Sequence, residues 1–161
     1  MSSWPHGRTT VLRLLEEGSL EFVTVNTNFA KRLCDEANRH LQAVQAIIEV
    51  DPSGAFQLAY DAARKACNAL LTQQGLRATY KNGHKAISDL MNDQFCHNGE
   101  YAVLGKLNSL RRSRADSQYP SELTPSISIE DATYCYETSV DILKVVNEIL
   151  ASGQLGAFTD S

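Results

Sequence analysis

Three arginines lie within four residues in the second half of the chain: Arg111, Arg112 and Arg114, in the run LNSLRRSRADSQYP at 107–120. Guanidinium groups bind phosphate or carboxylate oxygens through paired N–H donors. Like charges one helical turn apart repel each other. Such a cluster therefore indicates an anionic ligand or partner opposite it. The alternative is a solvated helix end whose cations complement the negative end of the helix dipole.

Polar residues follow this arginine cluster and extend the chemistry that it could support: Asp116, Ser117 and Tyr119. Phosphate cleavage needs a proton-transfer group, which near neutral pH is usually histidine. The candidate near the arginines is Tyr119. A tyrosine of ordinary pKa, about 10, is a weak base at pH 7 but can form hydrogen bonds or donate a proton. We therefore take Tyr119 as a candidate proton-transfer residue, and Asp116 and Ser117 with the arginines as candidate binding residues.

A second basic segment contains Arg77, Lys81 and His84. His84 is expected at the start of a helix, where the positive end of the dipole favours a neutral imidazole. In an antiparallel bundle, the start of that helix lies beside the end of the helix that carries the arginines. The sequence thus predicts one basic end face formed by His84, Lys81, Arg112 and Arg114.

Composition limits the classes of protein that fit this chain. Its 161 residues are 43% hydrophobic and 21% charged, which is typical of one globular domain with a sizeable core. The net charge of −4 excludes a globally basic nucleic-acid-binding protein, so any polyanion site must be local. We find no metal-ligand spacing, no glycine-rich phosphate loop and no nucleophile elbow, and so expect no metal and no cofactor.

Cysteine usage and hydropathy predict a cytoplasmic protein. The four cysteines form no C-x-x-C pair and fit buried free thiols in a reducing compartment. The N-terminus lacks the apolar core of a secretory signal, and no apolar run is long enough to cross a membrane.

Apolar residues at helical spacing predict an all-α fold, an up-and-down antiparallel bundle of four to five helices plus a short N-terminal helix. The segment LEFVTV at 20–25 has strand character, but no convincing second strand is visible, so we expect an extended connector. We divide the chain into a flexible arm (1–8), one helical domain (9–153) and a polar tail (154–161). The helices are expected at 9–17, 26–50, 54–74, 84–95, 100–115 and 130–152.

Two stretches carry a resemblance to a known family. The run AYDAARKACNALLTQQGLRATYKNGHKAI at 59–87, followed by LRRSRADSQYP at 110–120, resembles the HEPN superfamily of helical bundles, most closely its bacterial SAV_6107-type branch. The resemblance spans residues 12–150. It implies a bundle that commonly dimerises. Many relatives are metal-independent ribonucleases of toxin–antitoxin and phage-defence systems, and many are encoded beside a small nucleotidyltransferase that in some systems modifies a tyrosine.

The catalytic motif of that superfamily is an arginine, often followed by a polar residue, with a histidine four to six residues on. In the Arg114 register, Tyr119 occupies the position of the histidine. In the Arg112 register, Ser117 occupies it, and Tyr119 falls where the modifiable tyrosine would be. The pair Arg77 and His84 has a fitting spacing but lies in a different loop.

Three functions remain open from the sequence. The first is a HEPN component of a toxin–antitoxin or defence system that binds RNA, a nucleotide or a nucleotidyltransferase partner through the arginines. The second is an active ribonuclease toxin that uses Arg114 and Tyr119 in a dimeric cleft. The third is a structural bundle whose arginines only pair with Asp116, Glu122 and a neighbour's acids. We expect a homodimer whose interface involves the arginine-bearing helix and the segment 116–128.

Overall fold

The computed structural model describes residues 3–119 and 121–160, without the side chains of Ser117 and Gln118. Its elements follow in chain order: α1 (Arg8–Glu17), β1 (Leu20–Phe22), α2 (Thr27–Ile47), α3 (Pro52–Gln73), β2 (Leu76–Ala78), α4 (Gly83–Phe95), a 3-10 helix (Gly99–Lys106), α5 (Leu107–Gln118) and α6 (Ile129–Ala151). The expected all-α bundle with a short N-terminal helix is confirmed.

Helix α3 lies at the centre of the bundle and packs against α2, α4, α5 and α6. Half of its buried residues are alanines, whose small side chains let neighbouring helix axes approach closely. These residues are Ala55, Ala59, Ala62, Ala63, Ala66 and Ala69. Because α3 contacts so many elements, a side chain on its surface can meet groups from several helices at once.

Local signals in the sequence explain where the long helices begin. The side chain of Asn26 accepts from the N–H of Phe29 and caps α2. Asp51 caps α3 in the same way through Gly54, and Pro52 fits the first turn. Ser128 and the helix it precedes, α6, form a reciprocal capping box. The predicted boundaries of these helices agree with the structure to within about three residues, the usual scatter at helix ends.

The expected extended connector at 20–25 contains a short strand, so that expectation is corrected. Strand β1 pairs antiparallel with β2, with Leu20 opposite Ala78 and Phe22 opposite Leu76. Each strand has only three residues, too few to show a periodic pattern, and the partner lies more than fifty positions further along the chain. The ladder closes one side of the bundle and leads directly into α4.

The helix expected at 100–115 is also divided differently. Its first part is the 3-10 helix, and α5 starts only at Leu107. Side chains three residues apart line up in a 3-10 helix. This geometry buries Leu104 and Leu107 together, and Leu110 continues the same row in α5.

The N-terminal segment packs on the bundle, unlike the flexible arm that we expect from the sequence. Trp4 is only 8% exposed, and its indole N–H donates to the carbonyl oxygen of Gln94 (2.6 Å). The ring lies 5.1 Å from that of Phe95, centroid to centroid. A single tryptophan among polar residues gives no periodic signal, although its burial contributes considerable apolar area.

The C-terminal segment is likewise packed rather than a free polar tail. Leu155 and Phe158 are buried, and the N–H of Phe158 donates to the carbonyl oxygen of Gln74 (2.9 Å). The buried side-chain amides of Gln74 and Gln94 donate to each other (3.1 and 2.8 Å). Both chain ends are therefore attached to one pair of buried glutamines.

Candidate functional site

Tyr60 connects three helices at the basic end of the bundle. It is fully buried on α3, and its hydroxyl lies 2.8 Å from Nδ1 of His84 in the first turn of α4. The two rings stack with centroids 5.8 Å apart. From α5, the guanidinium carbon of Arg114 lies 5.7 Å from the centre of the Tyr60 ring, which is a cation–π distance.

The loop before α4 fixes the position of His84. Asn82 adopts a left-handed conformation with φ 59°, which asparagine tolerates better than most residues. Thr79 donates to the carbonyl oxygens of Ser19 and Gly18 through its N–H and its hydroxyl. The ammonium of Lys81 donates to the carbonyl oxygen of Glu17 (3.0 Å). The loop is thus attached to the turn that follows α1, and α4 starts at a defined place.

Two further guanidinium groups influence the Tyr60–His84 pair. Arg64 lies one turn after Tyr60 on α3, and Arg111 lies one turn before Arg114 on α5. Both act electrostatically on the histidine and on the tyrosine. We call Arg64, Arg111 and Arg114, together with His84, the arginine face.

Little negative charge neutralises this face. Arg64 approaches Asp61 (3.3 Å), while its buried Nε has no hydrogen-bond partner among the described residues. Arg111 donates to the neutral side chain of Asn108 (3.0 Å). Within the described part of the chain, neither Arg111 nor Arg114 forms an ion pair with a carboxylate. The face is therefore positive and available to an anion.

The environment keeps His84 neutral. Burial lowers its pKa below the ordinary value, and the guanidinium groups of Arg64 and Arg114 lower the pKa further. Burial also raises the pKa of Tyr60 to about 12, although the same arginines oppose this change. Both partners of the central hydrogen bond are thus uncharged at pH 7, and the positive charge belongs to the arginines around them.

The structure brings some of the predicted site residues together and separates others. His84 and Arg114 share the arginine face, joined by Arg111 rather than by Arg112, which is exposed and makes no ion pair in the described part of the chain. Lys81 is engaged with Glu17, as described above. Arg77 pairs with Glu21 across the β-ladder (2.7 Å). The predicted end face of His84, Lys81, Arg112 and Arg114 is therefore only partly formed.

The polar residues after the cluster lie elsewhere. Asp116 faces a separate cleft with Ser113 and the start of α6, and pairs with no described arginine. Tyr119 caps the end of α5 and its side chain is 78% exposed. Ser117 is in the helix, but its side chain lies outside the described part of the structure. The roles predicted for Arg114 and Tyr119 in catalysis stay predictions.

Sequence reasoning missed Tyr60 and Arg64 as site residues, although both lie in the run AYDAARK. The available signal was their spacing. They are four residues apart and so lie on one face of a helix, half of whose buried residues are alanines. Two large polar side chains on such a face need partners, and here His84 and the α5 arginines surround them.

A groove of about 680 Å³ adjoins the arginine face. Its walls come from the start of α2, from α3 and from the chain between β2 and α4. Arg64 and His84 line it as well, so the groove opens directly beside the arginines. Its volume lies in the range of ligand-binding pockets.

No metal centre accompanies these residues. In residues 3–119 and 121–160, no three histidine, cysteine, aspartate or glutamate side chains come close enough to hold an ion. Cys96 and His97 are adjacent in sequence, but their side chains make separate contacts. The thiol of Cys96 donates to main-chain oxygens, and the imidazole of His97 stacks on His6. The other three cysteines are buried free thiols.

A family model described as HEPN domain matches residues 30–149. The chain belongs to the HEPN family. No curated protein and no solved structure shows a significant match to it. The match covers α2 to α6 and so includes the arginine face of this HEPN domain. None of its described helices is both long and apolar enough to span a bilayer.

Proposed function

We propose that this HEPN domain binds RNA by holding backbone phosphates on the arginine face. The observation that supports the proposal best is that arginines from α3 and α5 converge on a neutral histidine, while the two from α5 lack carboxylate partners in the described structure. Guanidinium groups match phosphate oxygens in geometry and charge. The binding free energy then comes from local charge in a protein whose net charge is −4.

The wider biological role is proposed from the family. HEPN domains are often ribonuclease toxins or defence proteins, and they commonly dimerise. We propose that this one acts in the cytoplasm as a homodimeric component of a bacterial toxin–antitoxin or defence system. A nucleotidyltransferase partner that modifies a tyrosine fits the exposure of Tyr119. Intact mass of the protein co-expressed with its genomic neighbour tests this part, and a nucleotide-sized mass increase is the expected result.

RNA binding is tested by fluorescence anisotropy with a labelled single-stranded RNA at two salt concentrations. The double variant Arg111→Ala and Arg114→Ala is expected to bind at least tenfold more weakly. It should also show a shallower salt dependence, because each phosphate contact to single strands contributes about 0.7 to the slope.

Arg112→Ala is the matched control, since it removes the same charge from the same helix but from a side chain outside the arginine face. It should change affinity by about twofold at most. Equal losses in the Arg112 and Arg114 single variants would show that affinity depends only on the charge of α5, and would contradict the proposed site.

A second function is favoured by one observation: a neutral imidazole held by Tyr60 beside Arg64 and Arg114. A neutral histidine can accept the proton of a ribose 2′-hydroxyl, while the arginines stabilise negative charge on the phosphate. The protein would then be a metal-independent endoribonuclease that uses Arg114 with either Tyr119 or His84.

Cleavage of RNA in the presence of EDTA tests this second function. The variants His84→Gln and Tyr119→Phe separate the two candidate residues, and Arg114→Ala should abolish cleavage in either case. If RNA binds but stays intact under all conditions, the protein is a binding module and not a nuclease.

A further inference from the structure

The groove beside the arginine face has chemistry that phosphate binding does not use. Its walls combine apolar side chains with the aromatic rings of Phe29 and Tyr80 and with polar side chains, among them the amide of Asn68. The residues that matter here are Phe29, Leu33, Asn68, Tyr80, His84 and Ile87. This mixture of an apolar interior with a few polar groups is typical of sites for small planar ligands.

Two aromatic rings lie on the rim of the groove with part of their surface in solvent. Phe29 is 38% exposed, and Tyr80 is fully exposed at the tip of the loop between β2 and α4. A tyrosine with no burial contributes little to folding. Exposed rings beside a cationic surface are the usual platforms on which unpaired bases stack.

Asn68 supplies a polar group inside the groove. It lies on α3 one turn after Arg64 and is half-buried, and its side chain has no hydrogen bond to any other described residue. Its amide offers both a donor and an acceptor, which is the pattern that reads the edge of a base. Its neighbour Arg64 belongs both to the groove and to the arginine face, so one ligand can contact the two surfaces together.

We propose that this groove holds an unpaired nucleobase of the RNA whose phosphate lies on the arginine face. The inference rests on the proposed function and narrows its substrate class to single-stranded RNA. The charge of Arg64 and the apolar walls match the two parts of one nucleotide, its phosphate and its base. A base in a duplex cannot enter, because it is stacked and paired inside the helix.

Three RNAs of one length test the inference by anisotropy: a single strand, the same strand annealed to its complement, and the same strand with abasic sites at its central positions. The single strand should bind about tenfold more tightly than the other two, since stacking of one base is typically worth about that factor. Comparable affinity for all three would overturn the base groove.

Tyr80→Ala removes one stacking surface without touching the fold, because the ring is fully exposed. It should weaken the single strand about tenfold and leave the abasic strand unchanged. Tyr134→Ala, on α6 and away from the groove, is the matched control and should change neither. An equal effect of Tyr80→Ala on both strands would overturn stacking in the groove.

Asn68→Leu keeps the branched shape and the number of side-chain heavy atoms but removes the amide. Unmodified protein should discriminate among oligomers of the four bases, and this variant should bind them with affinities that differ less. Asn38→Leu, in the separate groove between α2 and α6, is the control. Unchanged melting temperatures establish that both variants fold.

The outcomes separate this inference from the function on which it rests. If the double variant Arg111→Ala and Arg114→Ala weakens all three RNAs while they bind the unmodified protein equally, phosphate binding stands and the base groove is wrong. If none of the RNAs binds the unmodified protein, both proposals are wrong.

Discussion

His84 and Tyr60 form an uncharged centre within a ring of cations. Removing water from the imidazole and placing it near Arg64 and Arg114 both disfavour its protonated form. The tyrosine hydroxyl binds Nδ1 of the imidazole, and the half-buried histidine lines the adjoining groove. An incoming phosphate therefore meets fixed positive charge on the arginines and a neutral hydrogen-bonding group between them.

This arrangement predicts a particular dependence of stability on pH. The folded protein resists protonation of His84, whose pKa lies below the ordinary 6.5, whereas the unfolded chain does not. His40 behaves in the same way, because burial and the ammonium of Lys65, 2.7 Å from its Nε2, lower its pKa. The free energy of unfolding should thus be constant above pH 6.5, fall as the pH drops through 6.5, and level off below the lowered pKa values.

Urea unfolding between pH 5 and 8 measures this effect. In the variant with both His84→Gln and His40→Gln, the free energy of unfolding should decrease less below pH 6.5. An unchanged pH profile would contradict the assignment of this decrease to the two histidines.

A bound phosphate should oppose the effect of the arginines and raise the pKa of His84. An NMR titration of the imidazole with and without inorganic phosphate detects that shift.

Residue types alone identify the arginines of α5 as candidate site residues, but they do not show which of them face α3. Positions 111 and 114 are three apart and share a helix face, while 112 points about 100° away. Which of the two faces meets α3 depends on how α5 packs, and the sequence does not specify that. Lys81 and Arg77 were similarly visible as cations. Their partners, a backbone carbonyl and Glu21, are brought to them only by the fold.

At the scale of elements, the β1–β2 ladder has an influence on the site far greater than its length suggests. Gly75 lies between the end of α3 and the start of β2 and adopts a left-handed conformation with φ 71°. A Cβ there would lie 2.9 Å from the carbonyl oxygen of Val23. The main chain passes this closely because glycine has no side chain, and the ladder then carries the loop to His84.

Gly75→Ala should therefore lower the free energy of unfolding for two reasons: alanine is strained at a positive φ, and its Cβ would collide with the carbonyl oxygen of Val23. Gly153 is the matched control: it has the same φ of 71°, but a Cβ added to it would meet nothing within 4 Å. Gly153→Ala should lower the free energy of unfolding by about 1 kcal/mol. Gly75→Ala should cost more and should also weaken RNA binding. Equal costs in chemical denaturation would show that the close approach is unimportant.

Helices were the predictable part of this fold. Their apolar spacing and their capping residues are local, so the sequence shows them directly. The ladder depends on two three-residue segments far apart in the chain, and the packed ends depend on Trp4, Leu155 and Phe158. Such contacts form only between distant segments. The groove was not predictable from the sequence because segments far apart in the chain enclose it.

At the scale of the whole molecule, dimerisation is the central prediction that remains. Three large apolar side chains are exposed near the end of α5 and the start of α6: Tyr119 (78%), Leu123 (94%) and Ile129 (44%). Apolar residues exposed together often mark protein–protein contacts. They lie in the region where we expect the interface from the sequence.

Light scattering should give twice the chain mass of 17.8 kDa at micromolar concentration. Leu123→Glu should shift the protein toward monomers, because it would bury a charge in the interface. Val50→Glu is the control, since Val50 is 86% exposed at the turn between α2 and α3. A monomer in all three proteins would contradict the two-protomer arrangement.

The N-terminal segment provides a test of the packed core. Trp4→Ala should lower the free energy of unfolding by about 3 kcal/mol, the lower end for a buried tryptophan. Trp4→Phe retains much of the apolar area but leaves the carbonyl oxygen of Gln94 without its donor, so it should cost about 1 kcal/mol. Chemical denaturation followed by circular dichroism measures both. A negligible cost for Trp4→Ala would show that the segment does not support the fold.

The glutamine pair has a consequence for how the domain opens. Both segments at the chain ends bind main-chain oxygens of Gln74 and Gln94, whose amides bind each other in the interior. Detaching either segment admits solvent to the same buried pair. The indole hydrogen of Trp4 and the amide hydrogen of Phe158 should therefore show similar protection factors in deuterium exchange, since both become exposed in one cooperative opening.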